Sequence, residues 1–261
     1  MTIKAIFFDI DGTLVPFQSA KCLPSTRQAL GLLREKGILT FVATGRSKYE
    51  ICNERMLDGL QFDGYLTNNG QDAYDAAWSQ IYGKPLDPND VEALLDWSDR
   101  RNSTCWLANA EITCINRDSE EYRTAMRAIH TSPLPVGDLH GMNKGPVFKL
   151  VLFAPPEEMD EPLRLAPHSR TTQWFTLGHD FVTLDGGKDS AVRAVLQRYG
   201  IAPEEAMAFG DSENDASMLR AVGLGVAMGN ATAEARAAAR YVTDDAEHDG
   251  IYHALEHFGL I

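Results

Sequence analysis

The chain has 261 residues, of which 44% are hydrophobic and 23% charged, so it can bury one large core or two smaller ones. Its formal net charge of -13 makes binding driven by nucleic acid phosphates or anionic membranes unfavourable. Four cysteines without a Cys-x-x-Cys pair indicate free thiols, and no apolar run approaches the roughly 18 residues of a membrane span, so we expect a cytoplasmic protein.

The two ends of the chain alternate predicted strands and helices. In the first part, apolar runs predict strands over 4–10, 38–45 and 63–70, with helices over 25–37 and 48–60 between them; Ser25 is the predicted N-cap of the first helix. Near-continuous apolar strands separated by amphipathic helices predict an α/β fold, a Rossmann-like doubly wound parallel sheet covered on both faces. The last third continues the pattern, with helices predicted over 188–200, 214–223, 231–240 and 250–259 and strands over 206–211, 224–230 and 241–243.

The middle of the chain follows a different pattern, because its predicted strands come in adjacent pairs. The pair over 172–178 and 180–185 indicates a hairpin that turns around Gly178–His179–Asp180. Paired strands beside helices predict an inserted α+β domain at 83–183, with residues 1–82 and 184–261 forming the α/β domain. Trp106, Trp174 and Phe175 in the insert fit a hydrophobic core better than a substrate platform, although both interpretations remain open.

Polar side chains are predicted at the carboxyl ends of several strands, where an open parallel sheet binds its ligands. Asp9 and Asp11 follow the first strand and, being two positions apart in extended chain, point to the same side. A turn at Asp11 explains only the second acid, because Asp9 interrupts an apolar run and a buried unpaired carboxylate is costly. The other residues expected at this edge are Thr44, Gly45 and Arg46 after the second strand, Asp211, Asn214 and Asp215 after a later strand, and Lys188 at the start of a helix.

The charges of this set predict a metal ion. Four carboxylates, those of Asp9, Asp11, Asp211 and Asp215, cannot crowd together ionised without a cation. Mg²⁺ takes about six oxygen ligands and typically shares them with waters and a substrate phosphate, so the sequence predicts a magnesium site shared with phosphate. Lys188 at a helix start opposes the helix dipole, which favours a functional role over that of an ordinary surface lysine.

Four segments, "DIDGTL", "TGR", Lys188 and "GDSEND", occur in this order. They resemble the four motifs of the haloacid dehalogenase-like phosphotransferases, and the ending "VAMGNATAEARAAARYVTDDAEHDGIYHAL" is similar to the Cof-type branch, class IIB. The insert between Thr44 and Lys188 lies where that superfamily carries its type-two caps. The resemblance implies that residues 83–183 form such a cap. The connections of the insert follow "TNNG" and precede "GGKDS", both near motif residues, so we expect the cap to hinge over Asp9 and to choose the substrate.

The resemblance also implies a role for each motif residue. Asp9 matches the nucleophile that forms an aspartyl-phosphate, and Asp11 matches the general acid and base. Mg²⁺ would be held by Asp9, by the backbone carbonyl of Asp11 and by Asp211, with Asp215 either touching the metal or supporting the site. The phosphate or substrate ligands implied are Thr44, Gly45, Arg46, Lys188 and Asn214, although Arg46 could instead pair with an acid in the core.

One position departs from the family pattern, because Asp189 follows the motif lysine where a small residue is usual. Asp189 could cap the helix, with Lys188 just outside it, or could pair with Lys188.

Taken with the resemblance, the motifs predict a Mg²⁺-dependent phosphatase that acts on a small phosphorylated metabolite, with a sugar phosphate as the leading substrate and neither nucleic acid nor membrane as a partner. The alternatives are a sugar phosphomutase of the same superfamily and a non-catalytic phospholigand-binding protein.

Overall fold

The structure is a computed structural model that describes residues 2–19, 21–54, 57, 59–128, 132–142 and 145–261. It divides into two compact units. The first comprises Met1–Arg46, Arg55–Tyr82 and Gly187–Ile261, and the second comprises Ser47–Glu54 and Gly83–Gly186. The observed fold class is the predicted one, an α/β unit with a mainly parallel sheet and a second unit with an antiparallel sheet. That residues 83–183 form an inserted domain stays a prediction.

The described strands are short and follow the apolar runs of the sequence. They are β1 (Ala5–Phe8), β2 (Leu39–Ala43), β3 (Gly64–Thr67), β4 (Asp72–Asp75), β5 (Gln80–Gly83), β6 (Thr104–Asn109), β7 (Thr113–Ile115), β8 (Val147–Phe153), β9 (Ser169–Phe175), β10 (Gly178–Thr183), β11 (Ala206–Gly210), β12 (Leu224–Ala227) and β13 (Tyr241–Val242).

The described α-helices connect and cover these strands. They are α1 (Pro24–Glu35), α2 (Lys48–Glu54), α3 (Pro88–Arg101), α4 (Glu120–Ala128), α5 (Leu139–Met142), α6 (Asp160–Leu165), α7 (Lys188–Tyr199), α8 (Ala216–Ala221), α9 (Ala233–Ala238) and α10 (Gly250–His257).

The first two helices differ from their predictions or extend beyond the described residues. Ser25 is not the N-cap of α1: Leu23 occupies that position and Pro24 begins the helix, because the fixed φ of proline suits the first turn. The Ser25 hydroxyl donates instead to the Asp249 carboxylate. The predicted helix over 48–60 is described only as far as Glu54, and residues 55, 56 and 58 of that prediction lie outside the described residues.

The sheet of the first unit has the strand order β13-β12-β11-β1-β2-β3-β4-β5. It is parallel from β13 to β3, and β4 runs antiparallel to β3. The central strand β1 is buried along its whole length, with Phe7 stacked on Phe41 at 5.1 Å and Phe8 stacked on Phe209 at 5.2 Å. Packing on both faces of β1 fixes where the strand ends, and therefore where the residue after it, Asp9, is held.

The second unit contains a five-stranded antiparallel sheet with the order β7-β6-β8-β10-β9. Side chains alternate along β8: Leu150 packs in a cluster with residues of α3, and Val151 packs in a second cluster with Trp106 and Tyr122. Trp106 is a buried core residue, as the first of the two interpretations held. The side chains of Trp174 and Phe175, the other two aromatic residues with both interpretations, lie outside the described residues.

The predicted hairpin between β9 and β10 exists, but its predicted turn is wrong. Gly178, His179 and Asp180 belong to β10, where they pair with β8 and β9, and the turn is formed by Thr176 and Leu177. His179 and Asp180 are buried in spite of their polarity, so the polar tripeptide that resembles a turn in sequence is part of the sheet.

The segment Ser47–Glu54 lies in the second unit, whereas the sequence prediction assigned it to the first domain. Buried Glu50 accepts hydrogen bonds of 2.8 Å from the backbone N–H and the hydroxyl of Ser47, and its Oε2 lies 3.6 Å from Lys149 Nζ. The Thr113 hydroxyl donates to Ser47 Oγ at 3.0 Å. Buried polar contacts therefore tie α2 to β7 and β8, and sequence periodicity carries no information about such contacts.

All four cysteines are free thiols, as predicted. None of the helices that the structure describes combines the length and the apolar composition needed to span a bilayer.

Candidate active site

Asp9 lies immediately after the carboxyl end of β1 and is 5% exposed. Its backbone N–H donates to the Phe209 carbonyl at 3.0 Å, which continues the pairing of β1 with β11. Its carbonyl accepts a bond of 3.2 Å from the Leu14 N–H, so the chain turns back at this point. The Asp9 carboxylate is therefore held at the edge of the sheet by backbone bonds on both sides.

Lys188 is the first residue of α7, and its side chain is fully buried. Its ammonium lies 2.6 Å from Asp9 Oδ1 and 2.6 Å from Asp215 Oδ1. The two predictions made for Asp189 are wrong: Gly187 occupies the N-cap, and Asp189 pairs with Arg193 at 3.0 Å, one helical turn away. Lys188 therefore pairs with the buried carboxylates of Asp9 and Asp215 and not with Asp189.

Asp211 follows β11, and a set of short loops holds its carboxylate. Thr13 donates its hydroxyl to Asp211 Oδ1 at 3.3 Å, and Asn230 Nδ2 lies 3.4 Å from Oδ2 and 2.9 Å from the Gly12 carbonyl. A side chain at Gly12 would collide with the Asp211 carboxylate, so the turn after β1 requires glycine there. The carboxylate thus lies directly against the turn that carries the motif acids.

Asp215 uses both carboxylate oxygens within the protein. Oδ1 accepts from Lys188, and Oδ2 accepts bonds of 2.9 Å from the backbone N–H groups of Asp211 and Ser212. These contacts orient both the Lys188 side chain and the loop after β11. They favour the supporting role over direct metal contact, the two roles that the sequence left open for this residue.

The buried cluster contains three carboxylates, those of Asp9, Asp211 and Asp215, and one cation, Lys188. Burial and the Asp215 carboxylate raise the pKa of Asp9 well above its usual value, although Lys188 acts in the opposite direction. Burial and Asp215 likewise raise the pKa of Asp211 to about 7. Burial alone would lower the pKa of Lys188, but the carboxylates of Asp215 and Asp9 raise it. One ammonium is therefore insufficient for three carboxylates.

The cluster fits a divalent cation. Asp9, Asp211 and Asp215 each offer an oxygen, and these oxygens lie within 4.8 Å of one another. Carboxylate oxygens suit a hard ion such as Mg²⁺, and the raised pKa values of Asp9 and Asp211 reflect negative charge that such an ion would offset.

Asp11 lies apart from this cluster, although it follows Asp9 by two positions. Arg46 binds its carboxylate in a bidentate pair, with Nε 2.8 Å from Oδ2 and one terminal nitrogen 2.8 Å from Oδ1. The Asp11 side chain is 40% exposed and that of Arg46 only 9%. Arg46 therefore pairs with an acid, Asp11, which is one of the two roles that the sequence left open for it.

The loop after β2 brings Thr44 and Gly45 to the same edge of the sheet. Thr44 is buried, and its hydroxyl accepts a bond of 3.1 Å from the Arg46 N–H. Gly45 packs so closely on Asn69 that an added Cβ would lie 3.1 Å from Asn69 Oδ1. Asn214 donates to that same oxygen at 2.8 Å, so the structure brings Gly45 and Asn214 together around Asn69.

Comparison with known proteins identifies the family. The sequence profile of the haloacid dehalogenase-like hydrolases matches residues 6–255. The chain belongs to the haloacid dehalogenase-like hydrolase family. It is 31% identical to the putative phosphatase YkrA of Bacillus subtilis (strain 168) over 264 residues, covering 100% of both chains. It is 27% identical to the 5-amino-6-(5-phospho-D-ribitylamino)uracil phosphatase YcsE of the same organism, covering 99% of this chain and 96% of that one.

Solved structures lead to the same family. The sugar phosphatase BT4131, of subclass IIB of this superfamily, superposes with a TM-score of 0.89 at 33% identity, covering 99% of this chain and 100% of that one. The chain is therefore an enzyme of the phosphatase kind, as the motifs predicted.

Three residues of the candidate site were missed from the sequence: Thr13, Asn69 and Asn230. Thr13 and Asn230 each follow a buried strand by a few positions, as the recognised residues do, and Asn230 lies in the quoted ending "VAMGN". Their position after strands of the parallel sheet was the available signal. Asn69 belongs to "TNNG", which indicated a strand end and the start of the connection to the insert but no role for a side chain.

Proposed function

We propose that this enzyme hydrolyses phosphate monoesters of small polyhydroxylated metabolites, sugar phosphates first, in a Mg²⁺-dependent reaction with Asp9 as the nucleophile. The observation that carries the proposal is the buried ion pair of Asp9 and Lys188 beside the Asp211 carboxylate. A site that only bound phosphate would need cations and N–H donors, because a buried carboxylate at its centre would repel the ligand. A nucleophile accounts for that carboxylate.

In the proposed reaction, an Asp9 oxygen forms a bond to phosphorus while the bond from phosphorus to the ester oxygen breaks. Lys188 holds Asp9 Oδ1 at 2.6 Å, which fixes the orientation of the carboxylate and offsets charge on the phosphoryl group. Attack of water on the phosphorus of the aspartyl-phosphate then releases inorganic phosphate and restores Asp9. Asp9, the backbone carbonyl of Asp11 and Asp211 would hold Mg²⁺, which would neutralise charge on the phosphoryl group when bound.

Asp11 is the proposed general acid and base, giving a proton to the leaving oxygen and later taking one from water. Both of its oxygens accept hydrogen bonds from Arg46, so proton transfer requires Asp11 to turn at least one oxygen away from the guanidinium. We assign Arg46 the role of holding Asp11, and its contact with substrate stays a prediction. Thr44, Gly45 and Asn214 are the proposed phosphate ligands.

The substrate class rests on two relatives. BT4131 is a sugar phosphatase, and YcsE is a phosphatase for a phosphoribityl compound, so both act on phosphate esters of polyhydroxylated carbon chains. Phosphates of sugars and sugar alcohols are therefore the first substrates to test.

The test is a screen of the purified protein with Mg²⁺ against sugar, polyol and nucleotide phosphates, with p-nitrophenyl phosphate as an activated reference. We expect inorganic phosphate to be released without an added acceptor, to cease with excess chelator, and to be absent in Asp9→Asn. Transfer of phosphate only to a second sugar would identify a phosphomutase. Tight phosphate binding without release from any ester would identify a binding protein and overturn the proposal.

A further inference from the structure

Three consecutive residues after β3 adopt left-handed backbone conformations. The φ angles are 51° for Asn68, 57° for Asn69 and 77° for Gly70. Residues other than glycine rarely adopt this conformation, and asparagine tolerates it better than most. All three residues are buried, so a polar, strained turn lies in the interior beside the candidate active site.

The turn is bound to the phosphate loop through its backbone. The Asn68 N–H donates to the Arg46 carbonyl at 2.9 Å, and the Asn69 N–H donates to the Thr44 carbonyl at 3.0 Å. These two bonds hold the segment Thr44–Arg46 from both ends. The close approach of Gly45 to Asn69 Oδ1 fills the space between them.

The same turn reaches two further parts of the site. Asn69 Oδ1 accepts the hydrogen bond of 2.8 Å from Asn214 Nδ2, which links the turn to the loop after β11. A side chain at Gly70 would collide with the Gly187 carbonyl and lie 2.7 Å from Lys188 Cα, so the turn also lies against the first residue of α7. Three elements that carry predicted phosphate ligands therefore meet at this turn.

A buried carboxylate holds the turn in place. Asp72 accepts hydrogen bonds from the Thr67 hydroxyl, from Asn68 Nδ2 at 3.0 Å and from the Tyr74 hydroxyl at 2.8 Å. The other amide atom of Asn68, Oδ1, is buried and has no hydrogen-bond partner among the residues that the structure describes, which is unfavourable. A strained backbone and an unsatisfied carbonyl oxygen persist only where the surrounding structure fixes them, and such features cluster at functional sites.

We propose that Asn69 is a positioning residue for phosphate recognition: its carboxamide orients Asn214 while its left-handed backbone holds Thr44–Arg46. The proposal rests on the proposed function, because it takes Asn214 and that loop as ligands of a phosphoryl group. One N–H of the Asn214 amide is engaged by Asn69 Oδ1, which fixes the amide plane and leaves a second N–H of defined direction for an oxyanion. Without Asn69 the Asn214 amide rotates freely and binds phosphate less well.

The test uses Asn69→Gly, because glycine adopts the left-handed conformation without strain and removes only the carboxamide. The matched control is Asn102→Gly, which makes the same exchange at another left-handed asparagine (φ 53°). Asn102 is exposed and is the C-cap residue that follows α3. Asn214→Ala and the double variant Asn69→Gly/Asn214→Ala complete a double-mutant cycle. Each protein is assayed for KM and kcat with p-nitrophenyl phosphate and Mg²⁺, for binding of inorganic phosphate by calorimetry, and for Tm.

In Asn69→Gly we expect KM and the Kd for inorganic phosphate to rise about tenfold, the effect of losing one well-oriented hydrogen bond, with a smaller change in kcat. Asn102→Gly should match the wild type in both quantities. Because Asn69 acts through Asn214, the double variant should bind phosphate no more weakly than Asn214→Ala alone. The Tm of Asn69→Gly should fall further than that of Asn102→Gly, because only the first variant loses a buried, hydrogen-bonded carboxamide.

Two results would overturn the proposal. One is an Asn69→Gly protein with wild-type KM and phosphate affinity, which would make the turn purely structural. The other is a double variant whose loss is the product of the two single losses, which would show that Asn69 does not act through Asn214. The calorimetric measurement separates this inference from the proposed function: if the wild type binds phosphate but hydrolyses no ester, the phosphatase proposal fails while the cycle still decides the role of Asn69. A wild type that neither binds phosphate nor hydrolyses an ester contradicts both.

Discussion

Replacing Asp9 with asparagine should abolish turnover without destabilising the fold. The amide keeps an oxygen that accepts the bond from Lys188, at the position where Asp9 Oδ1 lies 2.6 Å from the ammonium. It is a far weaker nucleophile and cannot form the aspartyl-phosphate of the proposed reaction. A nucleophile fixed beside its target has an effective concentration of about 10⁵ to 10⁸ M, so we expect kcat to fall by at least about 10⁴-fold.

The stability change follows from the charges around Asp9. At an effective dielectric constant of about 20, the attraction between Asp9 and Lys188 at 2.6 Å is about 6 kcal/mol. Repulsion from Asp211 and Asp215, whose oxygens lie within 4.8 Å, amounts to at least about 7 kcal/mol at the same dielectric constant. These two quantities nearly cancel, and burial of the charge adds a further cost. Without divalent ions, the free energy of unfolding of Asp9→Asn should therefore equal that of the wild type or exceed it by about 1–2 kcal/mol.

The assay is urea unfolding in chelator and again in excess Mg²⁺, beside p-nitrophenyl phosphate turnover. Mg²⁺ should stabilise the wild type more than Asp9→Asn, because a ligand that binds the native state more tightly stabilises it more at the same concentration. Asp9→Ala is the matched control: it leaves Lys188 with one acceptor fewer and should be about 1 kcal/mol less stable than Asp9→Asn. Loss of more than about 2 kcal/mol in metal-free Asp9→Asn would refute the charge argument. Activity near that of the wild type would refute the nucleophile.

Three further outcomes are expected. Asp211→Ala should weaken Mg²⁺ binding measured by calorimetry at least about tenfold, and unchanged affinity would remove Asp211 from the metal site. Asp11→Asn should retain Mg²⁺ binding but lose about 10²- to 10⁴-fold in kcat, more for sugar phosphates than for p-nitrophenyl phosphate, and an equal loss on both would count against Asp11 as the acid. Lys149→Met should lower the free energy of unfolding in urea by about 3 kcal/mol, because it leaves the buried Glu50 carboxylate without its cation. The double variant Lys149→Met/Glu50→Gln should recover part of that loss. Wild-type stability of Lys149→Met would contradict the assigned ion pair.

The sequence predicted the parallel part of the fold well, because burial on both faces leaves a pattern of short apolar runs. The strands β1, β2, β3 and β11 lie within their predicted ranges, and Asp9 and Asp211 follow β1 and β11 as expected. The hairpin of β4 and β5 was not predicted. Its strands have four residues each and little hydrophobic alternation. β4 joins the sheet by pairing with β3, and β5 lies beyond β4 at the edge.

The predictions failed where tertiary contacts decide the local structure. Nothing near Glu50 in the sequence indicates that α2 belongs with Lys149, which lies about a hundred residues away in the buried ion pair of the second unit. In the same way, "GHD" has the composition of a turn, and only the pairing of His179 with β8 and β9 makes it part of a strand. Local propensity is a weak guide wherever a partner distant in sequence pairs with the segment.

The candidate site was nevertheless recognisable from the sequence, because several of its residues violate local preferences. A lysine at the first position of a helix opposes the helix dipole, and a carboxylate at the end of a buried strand is poorly solvated. Lys188 and Asp9 are each unfavourable alone, yet at 2.6 Å each offsets part of the cost of the other. The left-handed Asn69 is a third such violation, and it escaped notice because its cost lies in φ rather than in charge. A sequence shows where charged residues lie but not which backbone angles they adopt. Unfavourably placed charges therefore indicate a site from the sequence, whereas the strained turns that position it become visible only in the structure.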